Sequence, residues 1–330
     1  RYTNNMTRVT ANWENGRPTS MDKHAFWLPN QYVETNVIDV IRRRTKSLLA
    51  GVKYSKSTLP EDCKEVFSFK ELQNGGDYLV LNKSSSNLPI PDKSIDVIIT
   101  DPPYGSNVQY AELSTVWNAW YEVFEGLDNY IFKDEEAVVN RKLKVEGAKT
   151  EEDYEELLYK VFLECNRVLK DDRYMVFTFN NKNIKVWIAM MRAVTKAGFY
   201  LADEGVIFQD FIQSYKNTAH LRYAGNIHGD FIYTFVKGQK QKSYEFAGQT
   251  LQRMIELSID TKIEKLFRKQ KQYTTPELYQ KIFSELASVL MEYIAEHIDD
   301  MKKILEVDIG SDEYIDNLLK SKLNYCDGEW

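Results

Sequence analysis

The chain of 330 residues is 43% hydrophobic, so it is long enough and apolar enough for one large domain with an appendage. Its 43 lysines and arginines stand against 49 aspartates and glutamates, and the net charge of −6 excludes a globally basic nucleic-acid-binding protein while allowing a local basic face. The sequence has neither a run of about 18 apolar residues nor a signal-peptide pattern, so we expect a cytoplasmic protein without a membrane span.

The N-terminal part of the sequence predicts an irregular arm followed by a basic helix. Residues 1–30 are polar with weak periodicity, whereas apolar residues between Glu34 and Ala50 recur at helical spacing. The other face of that helix carries three consecutive arginines, Arg42, Arg43 and Arg44. A solvated helix face and a contact with nucleic acid are both open interpretations of this cluster.

The middle of the sequence alternates between strand and helix patterns. The predicted strands are Tyr78–Leu81, Ile95–Thr100, Tyr174–Phe179, Tyr200–Phe208 and Phe231–Val236, and the predicted helices are Leu113–Phe124, Tyr154–Leu169 and Ile184–Lys196. Thr150 and Asp153 have the spacing of a capping box, and Gly198 is a helix-ending glycine. This alternation predicts an α/β fold with a mostly parallel sheet, in which the β-branched run Ile95–Thr100 is a strand buried on both faces.

The C-terminal part of the sequence predicts three helices from Gln249 onward. Thr275 and Pro276 fit the N-cap and first position of the longest one. Its apolar stripe is compatible with packing on its own domain, with target recognition or with binding of a partner subunit. We therefore divide the chain into residues 1–70, 71–240 and 241–330.

The cysteines and histidines show no pattern of a metal site. Cys63, Cys165 and Cys326 are widely separated, without CxxC spacing, which argues against a disulfide framework and is typical of a reducing cytoplasm. The four histidines have no cysteine partners nearby in sequence, so we expect no bound metal.

The loop that follows Ile95–Thr100 contains the candidate ligand-binding residues. Ligands of open parallel sheets bind beyond the carboxyl ends of the strands, where Asp101 is expected to lie. Pro102 and Pro103 lack N–H donors and stiffen the loop, and Tyr104 offers a flat ring. Together these groups suit a planar ligand that bears an amine. The Asp101 carboxylate and the Pro102 carbonyl would accept the two amine hydrogens, and Tyr104 would stack on the ring.

The Asp101-Pro102-Pro103-Tyr104 sequence resembles the catalytic signature of DNA amino-methyltransferases, which use S-adenosylmethionine to methylate adenine N6 or cytosine N4. Residues 107–120, 177–182 and Trp187 are similar to the large bacterial and archaeal adenine-specific DNA methylases. The resemblance covers roughly residues 78–237 and implies a Rossmann-like methyltransferase fold, with residues 71–240 as the catalytic half.

The resemblance also implies roles for individual residues. Ser84 and Ser85 stand in the loop that contacts the cofactor adenine, although the family usually has an acid at the position of Ser84. Asp101 and Phe179 are further candidates for cofactor contact. Tyr104, Tyr110 and Asn180 are candidates for holding a flipped base, whose extrusion from the duplex costs a few kcal/mol. Lys216 and Arg222, in the loop between the last two strands, are candidates for DNA contact or residues of a plain surface hairpin.

Two cofactor-binding features of the family are not found. These are a glycine-rich loop after the first strand and an acid after the second. Residues 307–311 carry an aspartate and one glycine but lack the second glycine. Our interpretation is that strands three to seven of the fold are present and that an upstream segment or a separate chain supplies the first two.

The predicted function is methyl transfer from S-adenosylmethionine to a base of double-stranded DNA, with adenine N6 favoured over cytosine N4. No covalent enzyme–base intermediate is expected, because no cysteine is near the signature. Methylation of RNA or of a protein glutamine, and a non-catalytic subunit that binds DNA or a partner, remain alternatives. The family resemblance implies a role in restriction–modification or phage defence.

Overall fold

The structure is a computed structural model that describes residues 6–8, 32–34, 36–60, 62–111, 113–114, 118–119, 133–140, 147–181, 183–210, 229–238, 250–269, 272–297 and 314–324. The strands are β1 Met6–Arg8, β2 Tyr32–Glu34, β3 Glu65–Val66, β4 Tyr78–Leu79, β5 Ile95–Thr100, β6 Leu169–Phe179, β7 Phe199–Asp210 and β8 Gly229–Lys237. The helices are α1 Val37–Thr58, α2 Phe69–Gln73, α3 Glu151–Val168, α4 Ile184–Lys196, α5 Leu251–Lys269, α6 Thr275–Glu296 and α7 Tyr314–Lys322.

The chain divides into two compact units. The first comprises residues 1–84 and 110–133, and the second comprises residues 85–109 and 134–330. Most of the predicted helix Leu113–Phe124 lies outside the described residues. The division of the sequence into residues 1–70, 71–240 and 241–330 stays a prediction about function.

The first unit contains two small sheets and the basic helix. β1 pairs antiparallel with β2, and β3 pairs parallel with β4. Gly76 is required where β3 and β4 approach, because a Cβ there would lie 2.5 Å from Val66 Cγ1. The predicted third strand, β4, thus pairs with β3 in a two-stranded sheet, separate from the sheet of the second unit.

Helix α1 begins three residues later than the sequence pattern predicts. The Asn36 side chain accepts a hydrogen bond from the Asp39 backbone N–H at 3.2 Å, which caps the first turn. Of its residues only Val40 is buried. The apolar residues whose spacing predicted the helix are exposed, with Ile38 at 65% and Leu48 at 64%.

The second unit is built on a four-stranded sheet in the order β5-β6-β8-β7. β5 runs parallel to β6, whereas β8 is antiparallel to both β6 and β7. The prediction of a mostly parallel sheet is therefore confirmed only in part. The β5–β6 pair is parallel, whereas the β6–β8 and β7–β8 pairs are antiparallel.

β5 is an edge strand among the described residues, where it pairs with β6 alone. Val97 is 52% exposed and Ile99 is 78% exposed. The prediction of a strand buried on both faces is wrong, because apolar composition reports what a strand can bury and not which neighbours it has.

The core of the second unit lies on one face of the sheet. Phe162 of α3 stacks on Phe177 of β6, with ring centroids 5.6 Å apart, and Trp187 of α4 packs edge-on against Tyr233 of β8. The predicted capping box of α3 is confirmed, since the Thr150 N–H donates to Asp153 Oδ2 at 2.8 Å. The C-cap of α4 is Ala197, one residue before the predicted Gly198, and Gly198 follows it in the left-handed region at φ +86°.

The long C-terminal helix α6 packs within its own unit. Its N-cap is Thr274, one residue before the predicted Thr275, and the Thr274 hydroxyl donates to Glu277 Oε2 at 2.9 Å. The described apolar residues of its stripe are buried, namely Ile282, Leu286, Val289, Leu290 and Tyr293. No helix in the described part of the chain is long and apolar enough to cross a membrane.

Candidate active site

Asp101 lies directly after β5, at the edge where β5 and β6 both reach their carboxyl ends. Thr100 pairs in register with Phe177, so the next residue on each strand, Asp101 and Thr178, lie side by side. The Thr178 hydroxyl donates to Asp101 Oδ1 at 2.6 Å. The described residues donate no hydrogen bond to Oδ2, and Asp101 is solvent-exposed. Thr178 thus holds one carboxylate oxygen of a side chain that is exposed to solvent.

The carbonyl groups of the following loop are mostly engaged. The Tyr154 hydroxyl donates to the Pro103 carbonyl at 2.5 Å, and Asn181 Nδ2 donates to the Tyr104 carbonyl at 3.0 Å. The Gly105 carbonyl accepts from the Val139 N–H at 3.3 Å. Within the described ranges, the Pro102 carbonyl accepts no hydrogen bond. The loop is thus fastened on both sides of Pro102, which is itself buried and whose carbonyl has no donor among the described residues.

Asn181 ties the loop to the start of α4. Its Oδ1 accepts from the Asn183 N–H at 2.8 Å, and its carbonyl accepts from Trp187 Nε1. The approach is so close that Gly105, at φ +60°, has no room for a side chain, since a Cβ would lie 2.5 Å from Val186 Cγ1. The sequence pattern pointed to Asn180, whereas the buried anchor of the loop is its neighbour.

The Tyr104 side chain points into the protein. Its hydroxyl donates to Thr178 Oγ1 at 2.9 Å, and its ring meets Phe179 edge-on, with centroids 5.3 Å apart. Burial raises the pKa of Tyr104 far above its usual range, and the carboxylates of Asp230 and Asp101 act in the same direction. The hydroxyl therefore stays protonated and acts as a donor. Stacking of this ring on a base stays a prediction.

Polar side chains outside the loop hold the neighbouring backbone segment in place. Gln109, which is buried, donates from Nε2 to the Val139 carbonyl at 3.1 Å and accepts at Oε1 from Asn140 Nδ2 at 2.6 Å. Lys149 Nζ donates to the Glu136 carbonyl at 2.7 Å, and burial lowers the pKa of this amine. Sequence reasoning missed these residues, since isolated polar positions give no periodic signal.

The segment before β5 is fastened to α3. Glu164 Oε1 accepts from the Leu88 N–H at 2.7 Å, and Arg167 donates to the carbonyls of Leu88 and Ile90. Hydrogen bonds to Glu164 and Asp92 raise the pKa of the Arg167 guanidinium, which stays charged. This loop contains exposed Ser85, a candidate for cofactor contact.

The remaining predicted site residues lie in varied surroundings. Phe179 is fully buried between Tyr104 and Trp187, and Asn180 is half-buried. Ser84 and Tyr110 belong to the first unit, where Ser84 is half-buried and Tyr110 is 48% exposed.

The predicted DNA contacts are only partly described. In α1, Arg42 pairs with Asp39 at 3.0 Å, Arg43 Nε donates to the Asp39 carbonyl at 3.3 Å, and Arg44 is half-buried. Lys216 and Arg222 lie outside the described residues.

The described residues of the second unit bring two hydrogen-bond acceptors together after β5. Asp101 Oδ2 and the Pro102 carbonyl are acceptors suited to an amine. The described residues beside β5 include neither a glycine-rich turn that opens a helix nor an acid placed for ribose hydroxyls. In the part of the chain that the structure describes, no cluster of histidine, cysteine, aspartate or glutamate could hold a metal ion.

Comparison with known proteins gives a family match. Residues 95–304 match the family model N6_N4_Mtase, described as DNA methylase. Among solved structures the chain is similar to TTHA0409 from Thermus thermophilus, provisionally assigned as a DNA modification methylase. The identity is 13%, the match covers 58% of each chain, and the TM-score of 0.24 carries no argument about the fold. No curated protein sequence matches this chain.

Proposed function

This chain belongs to the N6_N4_Mtase family of DNA methylases, and from that premise we propose that it methylates the exocyclic amine of a flipped base in double-stranded DNA, with adenine N6 as the target. The methyl donor is S-adenosylmethionine, which supplies a methyl group on a positively charged sulfur. A role in restriction–modification or phage defence follows from the family resemblance.

The pair of available acceptors beside β5 is the observation that carries the proposal. Thr178 occupies Asp101 Oδ1 and leaves Oδ2 open. The carbonyls of Pro103, Tyr104 and Gly105 are engaged, whereas that of Pro102 is not in the described ranges. An exocyclic amine has two hydrogens, and these two acceptors match them one to one.

Accepting both hydrogens activates the amine. The lone pair of an exocyclic amine is delocalised into the base, so the nitrogen is a poor nucleophile. Hydrogen bonds to a carboxylate and a carbonyl draw the N–H protons outward and return electron density to nitrogen, and they also fix the amine in the geometry of attack. Methylation replaces one amine hydrogen, and in this proposal the exposed Asp101 carboxylate passes the released proton to solvent.

The direct test replaces Asp101 by alanine in the full-length enzyme. We expect transfer of labelled methyl groups to DNA to fall by about 100-fold or more, because the charged acceptor is lost. Asp96→Ala is the matched control, since Asp96 is an exposed carboxylate near the other end of β5, where it pairs with Lys170 at 2.7 Å. Activity of the Asp101 variant equal to that of the control would contradict the assignment.

The modified product identifies the substrate. Digestion of methylated DNA and mass spectrometry of the nucleosides should show N6-methyladenine. N4-methylcytosine would shift the assignment to the other base. Methyl transfer to RNA or to a protein glutamine, with none to DNA, would support those alternatives instead. If no substrate is methylated by the assembled protein, the non-catalytic subunit is the correct interpretation.

Another polypeptide segment, upstream on the same chain or on a separate chain, completes the cofactor site in this proposal. The support is the edge position of β5 with exposed Val97 and Ile99, since parallel strands are normally covered on both faces. Calorimetry should show no micromolar binding of S-adenosylmethionine to residues 1–330 and clear binding to the complete assembly. Micromolar binding by residues 1–330 alone would overturn this part of the proposal.

Contact with the DNA backbone is proposed for the basic residues Arg42, Arg43, Arg44, Lys216 and Arg222. Arg43 is exposed in α1, and among the described residues its side chain bonds to a backbone carbonyl and to no carboxylate. Each lost phosphate contact should reduce the slope of log binding constant against log salt concentration by about one. Unchanged salt slopes in the arginine-to-alanine variants would leave α1 as a solvated helix.

A further inference from the structure

The hydroxyl of Thr178 stands between two groups of the signature loop. It donates to Asp101 Oδ1 at 2.6 Å and accepts from the Tyr104 hydroxyl at 2.9 Å. Asp101 and Thr178 are 77 residues apart in sequence, and only the register of β5 against β6 brings them together. The sequence signature does not include Thr178.

The chemistry of the three groups sets the direction of these hydrogen bonds. An ionised carboxylate only accepts, so the Thr178 proton must point toward Asp101. The Thr178 oxygen then offers its lone pairs to the Tyr104 hydroxyl, which stays protonated because partial burial raises its pKa. The result is a chain of two hydrogen bonds that runs from Tyr104 through Thr178 to Asp101.

The backbone restricts the position of the Thr178 oxygen. A β-branched side chain in a strand has few allowed χ1 values, and β6 is hydrogen-bonded on both sides, to β5 and to β8. Asp101 by contrast is exposed, and without this bond its carboxylate would rotate among several rotamers. Thr178 therefore selects one orientation, in which Oδ1 faces the sheet and Oδ2 is left for a ligand.

We propose that Thr178 is a positioning residue that fixes the Asp101 carboxylate for the amine, and that the Tyr104 hydroxyl fixes Thr178 in turn. This inference rests on the proposed function of Asp101. Thr178 acts through Asp101 and has no contact with the reacting atoms in this scheme. Its removal should therefore slow the chemical step and leave substrate binding unchanged.

The experiment compares Thr178→Val with Thr178→Ser in the full-length enzyme. Valine keeps the shape and loses the hydroxyl, whereas serine keeps the hydroxyl. We expect Thr178→Val to lower kcat by about 10- to 100-fold, as for the loss of a hydrogen bond to a charged group, with KM for DNA and the melting temperature little changed. Thr178→Ser should restore kcat to within about threefold of the parent enzyme.

Tyr104→Phe is an independent variant, because it removes the hydroxyl that donates to Thr178 and keeps the ring. It should lower kcat less than Thr178→Val, and it should have no further effect in the Thr178→Val background. Equal kcat for Thr178→Val and the parent, or equal defects in the valine and serine variants, would overturn the inference. If Thr178→Val does not fold, a Tyr104→Phe variant with the same kcat as the parent would overturn the inference.

The Asp101 and Thr178 variants separate a wrong function of the loop from a wrong positioning role. If Asp101→Ala abolishes activity while Thr178→Val is as active as the parent, only the positioning role is wrong. If Asp101→Ala is itself active, the proposed function of the loop is wrong and the positioning role falls with it.

Discussion

The two faces of the four-stranded sheet are both rich in apolar residues, yet their surroundings differ. On the closed face, Phe177 and Phe235 are fully buried beneath α3 and α4. On the open face, Ile99 is 78% exposed and Tyr174 and Ile207 are also exposed. The closed face holds this unit together, whereas the open face has the character of an interaction surface. Asp101 continues the open-face side of β5, so the proposed chemistry lies at the border of that surface.

The largest effect should come from the closed face. Phe177→Ala removes a ring that stacks between Phe162 and Phe235, and we expect the free energy of unfolding to fall by about 4 kcal/mol. Urea denaturation of the purified chain measures it. A loss below about 1 kcal/mol would mean that the closed face is not the stabilising one.

Helices α3 and α4 on the closed face share a buried ion pair. Removing its acid and removing its base should cost different amounts of folding free energy. Glu155 pairs with Arg192 at 3.0 Å and with Lys196 at 2.7 Å, and burial lowers the pKa of the Arg192 guanidinium. Glu155→Ala leaves Arg192 buried without its carboxylate and should cost about 3 kcal/mol. Arg192→Met leaves Glu155 paired with Lys196 and should stay within about 1 kcal/mol of the parent. Equal losses in urea denaturation would contradict this account.

Cys165 on α3 should make the closed-face unit sensitive to alkali. Burial raises the pKa of this thiol to about 12, so the folded state keeps it protonated while the unfolded chain ionises it above about 8.5. The stability from the raised pKa is present below the unfolded value and is lost as pH rises toward the folded value. Between pH 7 and pH 10 the loss should be about 2 kcal/mol.

The control for this pH dependence is Cys165→Ala, which should lose less stability than the parent over the same pH interval in parallel urea titrations. Identical pH slopes in the two proteins would show that Cys165 is accessible to water. Exposed Cys63 serves as an internal reference, since it should be alkylated in the folded protein while Cys165 is protected.

The smallest effect should come from the open face. Ile99→Thr keeps the β-branched shape and removes apolar surface that already contacts water, so the free energy of unfolding of residues 1–330 should change by about 0.5 kcal/mol or less. In the proposed assembly the same variant should weaken association with the segment proposed to complete the cofactor site, which a pull-down or sedimentation measurement would detect. A large loss of stability in residues 1–330 alone would show that the open face is already covered.

Local patterns predicted much of the second unit. The capping box at Thr150 and the glycine at Gly198 located the ends of α3 and α4 because capping depends on neighbours in sequence. The β-branched run Ile95–Thr100 located β5, and its end located the Asp101 loop. The exposure of β5 could not be predicted, because burial depends on what packs beside a strand.

The sequence by itself determined most helices and strands of the second unit and the acid that follows β5, whereas the short strands β1, β2 and β3 were not predicted. Only the tertiary structure decided what holds that acid, since Thr178 and Tyr154 reach the loop from 77 and 51 residues away. Strand register and helix packing determine these contacts, and neither produces a periodic pattern in the sequence. Side-chain spacing encodes which face of an element is apolar, whereas the pairing of distant elements decides which polar groups meet and which face of the sheet stays open.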